Sequence, residues 1–144
     1  MASDDPQPES PRRVVIQQPA LPGYRIAPLK ALATRPGIDL KVVYGASPES
    51  PPNVAPEGFE GEPSLLRALR IRGQRLYWHT AQLRYAHPSR ADVLILSWNV
   101  RYLSLLPALL RARWHRVPTI LWGHGYSKAE RGWRRWLRNR VARL

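Results

Sequence analysis

The chain of 144 residues contains no cysteine. Disulfides, thiolate metal sites and a cysteine nucleophile are thereby excluded, and the absence fits a cytoplasmic protein. Lysine is scarce as well: Lys30, Lys41 and Lys128 are the three in the chain. No apolar run approaches the roughly 18 residues of a membrane-spanning helix. The densest patch, residues 103–110, is short and interrupted by Pro107. Any membrane contact is therefore expected to be peripheral. The opening MASDDPQPESP lacks the basic start and apolar run of a secretory signal.

Several chemistries are missing too. Ten acids are present, and few lie where they could pair. Asp39 and Asp92 each stand at the start of an expected strand, at the end away from the usual ligand crevice, and Glu130 stands alone beside a later loop. A glycosidase-like carboxylate pair is not expected. No Asp-x-Asp pair offers itself to a divalent cation, and His79, His87, His115 and His124 show no zinc-ligand spacing. There is no G-x-S-x-G elbow and no P-loop. Gly123-x-Gly125 is only the start of a dinucleotide fingerprint and follows a late strand, so NAD binding gains little support.

What is present is charge and periodicity. The net charge is +13, carried mainly by arginine. The acids collect in the N-terminal tail and in residues 49–62, while the bases crowd from Arg111 onward. Such a basic half suits a polyanion: an acidic membrane surface, a phosphorylated substrate or nucleic acid. The hydrophobic content of 44% supports a packed domain.

Residues 1–12 read as a disordered tail and residues 13–144 as one α/β domain. Val14-Val15-Ile16-Gln17 predicts a first strand. A turn at Pro22-Gly23 leads to a helical stripe of Ile26, Leu29, Leu32 and Ala33, with Pro28 in its first turn. Residues 39–44 give a second strand. The unit is a βαβ, with a right-handed crossover and parallel strands. Residues 46–63 read as an exposed excursion, residues 69–71 as a short third strand and residues 77–86 as a helix. Residues 93–96 and 119–122 are continuous apolar runs, expected as strands covered on both faces; residues 102–113 form the helix between them. Residues 129–144 read as a basic helix with Trp133, Trp136, Leu137, Val141 and Leu144 on one face. The fold expected is a Rossmann-like parallel sheet with helices on both faces. Leu144 falls in the middle of that last helical pattern, which suggests a chain truncated from a larger parent.

The order of these units resembles the N-terminal half of a GT-B glycosyltransferase of the family 4 type. The runs that carry the likeness are VVIQQPALPGYRIAPLKALATRPGIDLKVVYG and ADVLILSWN followed by VPTILWGHGYSK. The resemblance implies two Rossmann-like domains facing a cleft, this chain supplying the acceptor side. A donor-binding domain for the nucleotide sugar would be missing from the chain, leaving it inactive alone. It further implies that His124 lies beside the transferred sugar as the catalytic residue. Gly23, Tyr24 and Arg25 would line the substrate site from the first loop; Gly123, Gly125, Tyr126, Ser127 and Lys128 would line it from the last. No metal and no cofactor are implied beyond the nucleotide-sugar substrate. The resemblance and the Trp/Arg helix together suggest a cytoplasmic enzyme, peripheral at an anionic membrane through Trp133 and Trp136, with nucleic acid an unlikely partner. The alternative is a non-catalytic basic α/β module that binds an anionic membrane surface or nucleic acid.

Overall fold

A computed structural model of the protein describes residues 10–46, 52–71, 73–99 and 101–123. The chain opens with β1 (Arg12–Gln18), a 3₁₀ turn (Gly23–Arg25), α1 (Ile26–Ala33) and β2 (Ile38–Ala46). It continues with β3 (Glu60–Ile71), β4 (Gln74–His79), α2 (Thr80–Tyr85), β5 (Val93–Ser97), α3 (Leu105–Trp114) and β6 (Thr119–Trp122). The six strands form one sheet in the order β4-β3-β2-β1-β5-β6. The pairs β1–β2, β1–β5, β2–β3 and β5–β6 are parallel.

Alternation along the strands divides the core between two faces. Val14 and Ile16 of β1 pack with Leu40, Val42 and Tyr44 of β2 against Leu29 of α1. Val15 and Val43 point the other way, into a cluster with Ala81 and Tyr85 of α2 and Leu105, Ala108 and Ala112 of α3. Leu94 and Leu96 of β5 are fully buried in that second cluster. Each such side chain contributes on the order of 1.5–3 kcal/mol on leaving water. The amino end of β5 is tied to β1 by Arg13 and Asp92. The carboxylate of Asp92 accepts from the Arg13 backbone N–H at 2.8 Å and from its guanidinium at 2.6 and 3.1 Å. Hydrogen bonding from Arg13 holds Asp92 down at about 2.

The sheet departs from an all-parallel one at its left edge. β4 runs antiparallel to β3, joined by a tight turn at Gly73, whose φ of +76° glycine accepts without strain. β3 is also far longer than residues 69–71. Its residues 60–65 pair with β2 and its residues 66–71 with β4, so the hairpin projects past the end of β2. The expected excursion over residues 46–63 therefore ends early, at Glu60. The expected helix over residues 77–86 is confined to residues 80–85, because Tyr77, Trp78 and His79 pair across to β3. Among the described residues β6 is covered on one face only: Ile120 and Trp122 on the α1 side are exposed. They border a shallow apolar groove of about 260 Å³ that runs beside α1. The tail reading falls mostly on residues 1–9, and the Trp133/Trp136 helix wholly on residues 129–144; both lie outside the described residues. Among the described residues no helix is long and apolar enough to cross a membrane.

α3 stops in a Schellman arrangement. Val117 N–H donates to the Ala112 carbonyl at 2.8 Å, and Arg116 N–H donates to that of Arg113 at 3.1 Å. The position that needs a left-handed backbone is held by Arg116, at φ 56°. A side chain there costs about 1 kcal/mol relative to glycine. Arg116→Gly is expected to stabilise the protein by roughly 0.5–1 kcal/mol, read as a higher urea midpoint at unchanged slope. A lower midpoint would mean that the arginine makes contacts worth more than the backbone strain.

Candidate functional site

Strand order fixes where a ligand would sit. From β1 the chain moves through α1 to β2 and β3 on one side. It then crosses back to β5 and β6 on the other. The connections diverge between β1 and β5, and the crevice outside the carboxyl ends of those strands is the usual ligand position in such sheets.

Polar groups concentrate at that end. β1 carries Val-Val-Ile through the core and then Gln17 and Gln18, both buried. Gln17 Oε1 accepts from Gln82 Nε2 of α2 at 2.8 Å and from the Ser97 N–H of β5 at 3.4 Å. Ser97 Oγ donates to the Gln17 carbonyl at 2.8 Å. Gln82 Oε1 accepts from Ser104 Oγ at 2.6 Å, and that oxygen accepts from the His79 N–H at 3.0 Å. One continuous chain of hydrogen bonds thus joins β5, β1, α2, the start of α3 and the end of β4. Among the described residues, four buried atoms nevertheless find no hydrogen-bond partner: Gln17 Nε2, Gln18 Nε2 and both ring nitrogens of His79. Each costs about 1–3 kcal/mol when left so.

His79 is fully buried beside the Tyr102 ring, with centroids 6.5 Å apart. Burial pushes it down to about 4. The Gln18 backbone carbonyl opposes that shift without making a hydrogen bond of normal geometry. The imidazole is therefore neutral at physiological pH, too weak a base and too deep to act as a general base there. It is a polar element of the core. The pair His87 and His115, with ring centroids 4.4 Å apart, lies at the other end of α3.

The rim of the crevice comes from two distant parts of the chain. The loop after β1 turns through Gly23, Tyr24 and Arg25 and enters α1. Arg25 donates to Gln18 Oε1. Its guanidinium lies 4.8 Å from the Trp122 ring centroid of β6 and 5.7 Å from that of Tyr24. Cation–π contact and the amide acceptor fix the arginine between the β1 loop and the end of β6. Gly123 follows at once. A side chain there would meet Trp98 Cβ at 2.9 Å, so the chain leaving β6 passes close over the residue that follows β5. Gly23 is different. Among the described residues a Cβ would meet only Val54 Cγ1, at 3.9 Å, an ordinary contact, so none of them requires glycine there.

The structure thus brings Gly23, Tyr24, Arg25 and Gly123 to one end of the sheet. His124, Gly125, Tyr126, Ser127 and Lys128 lie outside the described residues. Gln17, Gln18, Gln82, Ser97 and Ser104 are not among the site residues expected from the sequence, where His79 stands out only for lacking zinc-ligand spacing. One signal was available: two glutamines directly after Val-Val-Ile put amides where an apolar strand ends. Among the described residues no group of three or more acids and histidines is arranged to hold a metal ion. No protein-family model, curated protein or solved structure matches the chain.

Proposed function

We propose that the protein is the acceptor-side domain of a GT-B-type glycosyltransferase, its substrate seated over the carboxyl ends of β1, β5 and β6. The observation that carries this reading is the meeting of Arg25 with Trp122 across the crevice, beside Gly123. Two segments that resemble the family's substrate loops are neighbours in space. In the reaction an acceptor hydroxyl attacks the anomeric carbon, the bond to the nucleotide phosphate breaks, and the phosphate oxygen keeps the electron pair. The acceptor proton leaves to a base or to solvent. Arg25, positioned by Gln18, would offset phosphate charge. His124 would hydrogen-bond the sugar or stabilise charge as it develops. The missing side chain at Gly23 would admit substrate close to the backbone. A donor-binding domain completes such an enzyme, on the same polypeptide or on another.

The test is transfer from labelled nucleotide sugars, assayed with the product of the whole locus and any adjoining donor domain. Arg25→Ala is expected to lower transfer by about tenfold to a hundredfold, as loss of a charge-assisted contact does. Gly23→Ala should lower transfer while leaving the urea midpoint unchanged. No turnover of any nucleotide sugar, together with saturable binding of NAD, would defeat the reading.

A further inference from the structure

The outer face of α3 is apolar where water-facing helices carry charge. Leu105, Ala108 and Ala112 turn inward and are buried. On the opposite pole, at helical spacing, stand Leu106 (44% exposed), Leu110 (51%) and Trp114 (85%), continued by Leu103 (40%) in the preceding turn. A helix apolar on both faces is covered on both. Arg111 and Arg113 fall on either side of the outer stripe, and the sequence has no acid between Asp92 and Glu130.

We propose that this face of α3 lies in the interface of an anionic bilayer. Leucine and tryptophan would enter the headgroup–acyl boundary, while the flanking arginines reach lipid phosphates. Charge selects this occupant over the others. A second copy would bring two surfaces of a +13 chain together. Nucleic acid would engage the arginines and leave Leu106, Leu110 and Trp114 in water. An anionic bilayer satisfies both the stripe and its borders. The site differs from the Trp133/Trp136 segment, and it stands whether or not the crevice transfers sugar.

The experiment is flotation of the full chain with phosphatidylcholine vesicles, with and without phosphatidylglycerol, across a salt series. Binding is expected to the anionic vesicles, to weaken with salt and to be slight on phosphatidylcholine alone. Leu110→Glu and Trp114→Glu should each weaken binding about tenfold or more. Arg111→Glu combined with Arg113→Glu should abolish the preference for anionic lipid. Unchanged circular dichroism and urea midpoints show that the variants are folded, which exposed positions permit. Vesicle binding by Leu110→Glu and Trp114→Glu equal to wild type would overturn the proposal. So would a Leu110→Glu change that dissociates an oligomer, or abolishes DNA retention, without altering flotation. Loss of sugar transfer with flotation intact would count against the proposed enzyme and not against this surface.

Discussion

Acidification from pH 7 to pH 4 is expected to remove roughly 3 kcal/mol of stability through His79 alone. Burial lowers the native pKa from 6.5 to about 4. Between those values the unfolded chain binds a proton that the native protein refuses, so each step down in pH favours unfolding. The contribution is intact above 6.5 and has been lost by 4. Below that the native ring protonates too, and no further loss comes from it. Asp92 acts in a separate, lower window: its pKa is depressed from 3.8 to about 2, so its contribution persists above 3.8 and falls away toward 2. His115 is also lowered, by desolvation and then by His87 and Arg111, and shares the sign of His79. Urea unfolding at intervals from pH 7 to pH 4 measures the slope, with His115→Ala as the background that removes the half-buried His87–His115 pair. In that background His79→Gln should flatten the curve between 6.5 and 4. A curve as steep with glutamine as with histidine would show that His79 is not the group responsible. A loss of this size is large against the 5–15 kcal/mol that holds a typical domain together.

His79 was also the residue whose position the sequence concealed. The central strands were legible because burial on both faces leaves continuous apolar runs, as in Val14–Ile16 and Val93–Leu96. The β3–β4 hairpin was not. Half of β3 projects past β2, so Leu69 and Ile71 are exposed and Leu66 alone of residues 66–71 is buried, which erases the alternation. Pro63 sits inside β3, where an isolated reading places a break. The glycine at 73 was the surviving hairpin signal. Tyr77, Trp78 and His79 extended the helical pattern of residues 80–85 backward; only their pairing with β3, a tertiary fact, makes them a strand. The crevice was legible at its rim and not at its base. Gly23 to Arg25 and Gly123 follow strands visibly. The hydrogen-bonded set of Gln17, Gln82, Ser97 and Ser104 draws on four separate elements, and no local window contains it.

Gly45→Ala is expected to cost about 2–3 kcal/mol, the penalty of forcing atoms into a packed site that cannot yield. Gly45 lies near the end of β2, and a Cβ there would stand 2.4 Å from the Pro19 carbonyl oxygen and 3.1 Å from Leu66 Cδ2. Backbone cannot swing aside as a side-chain tip does. Pro19 is held besides. Leu21 N–H donates to Asn53 Oδ1 at 2.7 Å, Asn53 Nδ2 donates to the Gly45 carbonyl at 3.0 Å, and Val54 N–H donates to the Leu21 carbonyl at 2.9 Å. Moving residues 19–21 outward to admit a methyl group breaks this clamp. It also moves the loop that carries Arg25 toward Trp122, so the substitution should weaken crevice binding beyond its effect on folding. Gly23→Ala is the control at the same end of the sheet, because its methyl group would make only an ordinary contact, with Val54 Cγ1 at 3.9 Å. Urea midpoints at equal slope compare the two. A Gly45→Ala midpoint within about 0.5 kcal/mol of wild type would mean that the β1 loop shifts freely. In that case the position of Arg25 would not be set by the end of β2, and the crevice would owe its shape to the contact with Trp122 alone.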